Sequence, residues 1–133
     1  MQPLVYRGLD GLAGSFAAMR VRRAEALVAI AAHVIDEARS PLAQLALRDR
    51  LPTIFTFREY VEAGGLMSYG PNLLAANRRA AYFVDRVLRG ARPTDLPVEQ
   101  VSTFELVVNL RTAKALGLTI PSAVLLRADE VIQ

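Results

Sequence analysis

Apolar runs alternate with amphipathic stretches along the first half of the chain, and this order restricts the fold more than any other feature. Residues 14–25 carry apolar side chains at helical spacing, with Ser15 as the expected N-cap. The unbroken apolar run 26–32 is typical of a parallel strand covered on both faces. Residues 40–50 and 52–57 repeat the order as a helix and a β-branched strand. The repetition predicts right-handed βαβ crossovers in a parallel sheet.

Turn residues divide the middle of the chain. Gly64-Gly65 closes a single helical turn over 58–63, because glycine readily takes the left-handed conformation that ends a helix. Residues 66–69 are a third strand candidate. Apolar side chains then recur at helical spacing over 71–88, and the proline- and glycine-rich connector 90–97 stops this long helix.

The sequence of the last third of the chain predicts one more strand and two more helices. Residues 104–108 alternate between apolar and polar side chains and include β-branched ones, which is typical of a strand. Asn109 is placed to cap a short helix over 110–116. A final helical stretch is predicted over 122–131, with Ser122 as its cap.

The composition fits one folded domain and argues against a nucleic-acid-binding protein. The chain has 133 residues, of which 53% are hydrophobic, so it can bury a real core. Its formal net charge is +3, but the arginines are scattered, and only Arg20, Arg22 and Arg23 form a tight group. On a helix these three are expected to form a solvated face.

Several classes of site are excluded by residues that the sequence lacks. It has no cysteine, which excludes disulfides, thiolate chemistry and cysteine-based zinc sites. Its longest strongly apolar stretch, 24–35, is shorter than the about 20 residues that span a bilayer. The first ten residues lack the pattern of a secretory signal, so a cytoplasmic location is expected if Met1 is the true start.

Four long segments resemble one family in order and spacing. They are LPTIFTFREYVEAGGLMSYGP at 51–71, RRAAYFVDRVLRGARPTDLPVEQ at 78–100, FELVVNLRTAKALGLTIP at 104–121 and LRADEVI at 126–132. The chain is similar to the carboxy-terminal portion of ABC-type solute-binding proteins of the tryptophan/tyrosine transport type. The resemblance runs from Phe16 to the end and is weakest over 31–39.

The resemblance implies a Rossmann-like α/β fold, a parallel sheet flanked by helices as in one lobe of a type I periplasmic binding protein, here incomplete. Residues 1–68 and 101–133 would belong to the second lobe, and 71–100 would pack on a first lobe that has no counterpart in this sequence. It also implies a periplasmic location, a small solute and an ABC permease as partners, and no cofactor. One local departure is the sequence AAHVID at 31–36, where relatives tend to have an Asp-Pro pair.

Ligands of open α/β sheets gather outside the carboxyl ends of the strands, and this rule selects the candidate site. The selected residues follow the first three predicted strands: His33, Thr56, Phe57, Arg58, Tyr69 and Gly70. Phe57 or Tyr69 would stack on an aromatic solute, and Arg58 or the amides at a helix start would bind its carboxylate. The alternative for each is a core aromatic or a solvated arginine.

No catalytic or metal site is expected. His33 is the only histidine and lacks the partners of a triad or a metal centre, so a loop or capping role is favoured. Glu59 and Glu62 have no nucleophile beside them, and Gly64-Gly65 lacks the spacing of a phosphate loop.

The leading hypothesis is therefore a solute-binding component that performs no chemistry and binds a metabolite such as an amino acid. Two alternatives stay open. One is a truncated remnant or homo-oligomerising module that covers the missing lobe with another copy, and the other is the ligand-sensing domain of a regulator.

Overall fold

Five strands form one sheet in the order β1-β2-β3-β4-β5 in the computed structural model, which describes residues 3, 8–30, 37–100 and 103–133. The strands are β1 (Leu27–Ala29), β2 (Thr53–Phe55), β3 (Met67–Pro71), β4 (Phe104–Asn109) and β5 (Glu130–Ile132). The helices are α1 (Leu9–Val21), α2 (Arg39–Arg48), α3 (Arg58–Glu62), α4 (Leu73–Leu88), α5 (Leu110–Leu116) and α6 (Ser122–Leu125). A short 3₁₀ turn covers Pro93–Asp95.

The sheet is mixed, with one reversal in its middle. β1, β2 and β3 run parallel, β4 runs antiparallel to β3, and β5 runs parallel to β4. The α/β fold with helices flanking a mostly parallel sheet is confirmed. The reversal arises because the chain leaves the carboxyl end of β3, runs through α4 and the connector, and re-enters the sheet beside the same end.

The C-terminal prediction was wrong over its second half. The helix ends at Leu125, and Glu130–Ile132 form β5, which pairs with β4 from Val107 to Asn109. Ser122 is the first helical residue rather than the cap. A three-residue strand is too short to display a period in the sequence, so its pairing with β4 decides its conformation.

The start of α1 also differs from the prediction. The helix begins at Leu9 with Gly8 as its N-cap residue. Ser15 lies inside the helix, and its hydroxyl donates to the Gly11 carbonyl at 3.1 Å. Serine side chains bond to the preceding turn when they lie inside a helix, so a serine near an apolar run is not a reliable sign of its start.

The principal core lies between the sheet and helices α1, α2 and α3. It gathers the buried side chains Leu12, Phe16, Met19, Ala38, Leu42, Ala46, Leu51, Phe55 and Tyr60. The rings of Phe55 and Tyr60 stack with centroids 4.8 Å apart. Full burial of a leucine, phenylalanine or methionine side chain stabilises a fold by about 1.5–3 kcal/mol, so the large members of this cluster anchor the three helices to the sheet.

The opposite face of the sheet is open at β1, contrary to the prediction of a strand covered on both faces. Leu27 and Ala29 pack against the core cluster. Val28 and Ile30 point the other way and are 56% and 79% exposed. The described residues thus place no layer over this part of the sheet, which an apolar run alone cannot reveal.

α4 projects from the sheet. Asn72 caps it, with its side-chain oxygen accepting from the Ala75 amide at 2.9 Å, and no residue of this helix is buried against the described part of the chain. Arg79 binds Glu99 through two nitrogens and lies over the Tyr82 ring at 4.1 Å. We call residues 72–100 the arm, because these contacts join α4 to its own connector.

None of the helices in the described ranges is both long and apolar enough to cross a membrane.

Candidate functional site

The carboxyl ends of β1, β2 and β3 meet at one edge of the sheet because the three strands are parallel. Thr56 and Phe57 follow β2 directly, and Arg58 begins α3. Tyr69 and Gly70 lie inside β3 rather than after it, since that strand continues to Pro71. The structure brings these five predicted residues to the same edge, whereas His33 lies outside the described residues.

Gly70 lets β3 approach the end of β2 closely. A Cβ atom at this position would lie 2.0 Å from the Thr56 carbonyl oxygen, far inside van der Waals contact. Any larger residue would have to displace the backbone of the loop after β2. Gly70 therefore fixes the position of that loop and of the Thr56 side chain.

Tyr69 presents an aromatic surface to solvent. Its side chain is 58% exposed and stacks on Phe104 with the ring centroids 5.7 Å apart. Phe104 belongs to the antiparallel strand β4, diagonally across from Tyr69. The sequence offered no signal for this pair, because the register of β3 and β4 depends on the path of the arm between them.

Arg58 is surrounded by carboxylates of the protein itself. Its Nε donates to Glu62 at 3.0 Å, its Nη2 donates to Glu130 at 2.6 Å, and its Nη1 lies 3.7 Å from Glu105. These hydrogen bonds, with Glu62 first and Glu130 second, raise the pKa of Arg58 above its usual value. The guanidinium joins α3 to β4 and β5, and a solute carboxylate would have to replace one of these partners.

Phe57 and Glu105 complete the surroundings of this edge. Phe57 is partly buried and packs against the core cluster, which is the arrangement of a core aromatic. Glu105 faces Gly70 across the β3–β4 pair, and its carboxylate accepts from the Asn72 side-chain amide at 2.9 Å. The first residue of the arm is thereby tied to the site.

The described ranges contain no group of three or more acidic or histidine side chains arranged to hold a metal ion. The edge instead offers an aromatic pair, a hydroxyl, and a guanidinium with three carboxylates. Such groups bind organic solutes by stacking and hydrogen bonding.

Solved structures share this fold over nearly the whole chain. A conserved domain protein from Vibrio cholerae matches with a TM-score of 0.83 and 26% identity, over 93% of this chain and 42% of its own. An ABC domain in complex with L-Trp from Streptococcus pneumoniae matches with a TM-score of 0.83 and 27% identity, over 94% of this chain and 43% of its own.

A third structure supports the fold alone. It is the ligand-free, open form of a substrate-binding protein with adhesive properties from Clostridium difficile, which has a TM-score of 0.65 and 20% identity, with 97% of this chain and 44% of that chain covered. This chain thus spans less than half the length of the structures that it matches. No functionally curated protein matches the sequence.

The sequence itself matches one family model over almost its full length. The model describes ABC transporter substrate binding proteins and covers residues 13–132. Together with the shared fold, this match shows that the chain belongs to the family of ABC transporter substrate-binding proteins.

Proposed function

We propose that this chain is the solute-binding component of an ABC-type importer, or the carboxy-terminal portion of one, and that it binds a small metabolite such as an amino acid without performing chemistry. The observation that supports the proposal is the exposed Tyr69–Phe104 stack at the strand-end edge of a chain of this family. An aromatic or branched side chain of a solute would lie against this surface and remove it from water.

The polar end of the solute would be held on the other face of the same sheet edge, where Glu105, the neighbour of Phe104 along β4, lies near Arg58. Arg58 is the proposed ligand of a carboxylate, which would take the place of Glu62 or Glu130 on the guanidinium. Both glutamates are about half exposed, with side-chain exposures of 50% and 46%, so either can turn into water. Thr56 and the backbone beside Gly70 would supply further hydrogen bonds.

Transport would require a second lobe. We assign residues 1–68 and 101–133 to one lobe and 71–100 to a segment that packs on the other, in line with the coverage of 42–44% of the solved structures. Closure of two lobes over the solute would create the form that docks on a membrane permease. The periplasm is the proposed site of action.

A thermal-shift screen against aromatic and branched amino acids tests solute binding. L-tryptophan is the first solute to try, because the Streptococcus pneumoniae relative is a complex with it. A ligand at 100 times its Kd stabilises the folded state by about 2.7 kcal/mol, which gives a measurable rise in Tm. Unchanged Tm values across the whole panel would contradict the proposal.

A second candidate function is self-association, favoured by the exposed apolar side of α4. Leu74 and Leu88 on this helix are 60% and 81% exposed. A second copy that covers this side would take the position of the other lobe. Size-exclusion chromatography with light scattering is expected to give a dimer under this candidate, and a monomer at all concentrations would reject it.

A further inference from the structure

Five arginines gather where helices α1 and α2 end. Arg20 and Arg48 both bind the carboxylate of Asp49, with N–O distances of 2.6 and 3.0 Å, and this shared partner joins the two helix ends. The other three arginines lie in the turns just after the helices, and all five residues are exposed. We call this set the arginine patch: Arg20, Arg22, Arg23, Arg48 and Arg50.

The patch carries the whole excess of positive charge of the chain. Residues 20–25 and 48–50 contain its five arginines and only two acidic residues, Glu25 and Asp49, which gives a formal charge of +3. The chain has 16 basic and 13 acidic residues, so 11 basic residues are balanced by 11 acidic ones outside these two segments. The positive field is therefore centred on this end of the molecule, where it attracts an anionic partner.

Two of the patch arginines occupy backbone positions that favour glycine. Arg23 has a φ of 52° and Arg50 a φ of 54°, and the amides that follow them, of Ala24 and Leu51, bond back into the helices at 2.9 and 2.8 Å. A side chain in this left-handed conformation lowers the stability of the fold. Neither guanidinium binds a carboxylate within the described ranges, so the fold itself gains nothing from either arginine.

The patch lies at the edge of the sheet opposite the proposed solute site. Arg23 and Arg50 come just before β1 and β2, at the amino ends of these parallel strands. The arm leaves the sheet at the carboxyl end of β3, and a second lobe attached through it would lie beyond that edge. A partner on the patch therefore does not compete with a solute or with the proposed second lobe.

Exposed apolar side chains lie among the arginines. Val21, between Arg20 and Arg22, is 83% exposed, and Leu47, beside Arg48, is 39% exposed. The surface of a bilayer offers phosphate oxygens to guanidinium groups and an acyl boundary to apolar side chains. A nucleic-acid backbone offers only the phosphates, and the two segments contain no aromatic residue that would stack on a base.

We propose that the arginine patch docks this protein on membranes that contain anionic phospholipids. The guanidinium groups bind the headgroup phosphates, and Val21 enters the boundary between the headgroups and the acyl chains. The strand-end edge and the arm then point away from the bilayer. This inference is independent of solute binding and of self-association.

Co-sedimentation with vesicles tests the docking, with phosphatidylcholine alone or mixed with about 30% phosphatidylglycerol. The chain is expected to bind only the anionic vesicles, and to bind them less as added salt screens the charges. Each arginine near an anionic surface strengthens binding about fivefold, so the double variant Arg23→Gly with Arg50→Gly should bind about 25-fold more weakly. Because glycine favours both backbone positions, urea unfolding should show this variant to be at least as stable as the parent chain.

Arg78→Gln with Arg86→Gln is the matched control, since it removes the same charge from the arm. Its binding should be unchanged, because charges more than about 10 Å from the bilayer are screened. Val21→Ser should weaken binding about fivefold with no change in charge.

Three results would overturn the proposal. They are equal binding to the two kinds of vesicle, equal losses in the two double variants, and undiminished binding by Val21→Ser together with equally tight binding of the parent chain to a DNA duplex. The last result would assign the patch to a soluble polyanion instead of a membrane.

Discussion

Gly70 and Arg58 illustrate how single residues set the strand-end edge. Both were selected from the sequence because they were expected just after strands, and the structure places both at that edge. Their surroundings could not be predicted. The backbone contact of Gly70 with Thr56 and the three carboxylates around Arg58 involve residues from separate elements, and their proximity depends on packing.

Replacing Gly70 with alanine tests the close approach of β3 to the loop after β2. The added Cβ meets the Thr56 carbonyl oxygen, so Gly70→Ala is expected to lower the free energy of unfolding by about 2 kcal/mol or more. Gly14→Ala is the matched control, because Gly14 lies inside α1 with open space around it. There alanine should stabilise by about 0.5–1 kcal/mol. Urea unfolding measures both changes, and equal effects would contradict the geometry.

Among the helices, the long α4 was predicted nearly to its ends. For the short helices, the predicted cap of α5 was correct and that of α6 was wrong. The Asn109 cap of α5 and its end at Gly117 are confirmed, since asparagine and glycine act there through local geometry. The strand β5 and the start of α1 were missed because tertiary pairing or a neighbouring turn decides them.

Asn109 joins two elements as well as capping one. Its side-chain oxygen accepts from the Thr112 amide at 3.1 Å, and its nitrogen donates to the Val61 carbonyl at 3.1 Å. Because Asn109 is buried, Asn109→Ala leaves the Thr112 amide without its cap and removes one of the two hydrogen bonds that the Val61 carbonyl accepts, the other coming from the Gly64 amide. The change should cost about 2–3 kcal/mol. Asn72→Ala removes the cap of the exposed α4 and the bond to Glu105, both of which water can replace in part, and should cost about 1 kcal/mol. Urea unfolding that ranks the two in reverse would contradict this account.

Asp49 connects α1 to α2 and makes their contact sensitive to pH. It accepts from Arg48 Nε at 3.0 Å and Arg20 Nη1 at 2.6 Å, and these bonds, with Arg48 first, hold its pKa below the ordinary value. A carboxyl group with a lowered pKa stabilises the fold above its unfolded pKa of about 3.9 and loses this effect as the pH falls through the folded pKa.

The stability difference between the parent chain and Asp49→Asn measures this contribution. The difference should be full at about pH 7, begin to shrink near pH 4, and vanish at still lower pH. Denaturant unfolding at a series of pH values provides the measurement, with Asp10→Asn as a control on the exposed first turn of α1. A difference that stays constant through the acidic range would mean that the carboxylate does not stabilise the helix pair.

At the scale of the whole molecule, the chain is an α/β unit with its main core on one side of the sheet and open surfaces elsewhere. The family and the Rossmann-like architecture followed from long sequence segments, and both are confirmed. The open sheet face and the projecting arm could not be predicted, because an apolar residue looks the same in the sequence whether its partner is present or not.

The central claim is that the strand-end edge binds a small solute, and L-tryptophan emission tests it directly. The chain contains no tryptophan, so the emission belongs to the ligand alone. Titrating the protein into L-tryptophan should give a saturable change in emission. Tyr69→Ala should weaken binding about tenfold, since loss of one aromatic contact costs about 1.4 kcal/mol, whereas Tyr82→Ala on the arm should leave it unchanged. No saturable change, or an equal loss in both variants, would contradict the account.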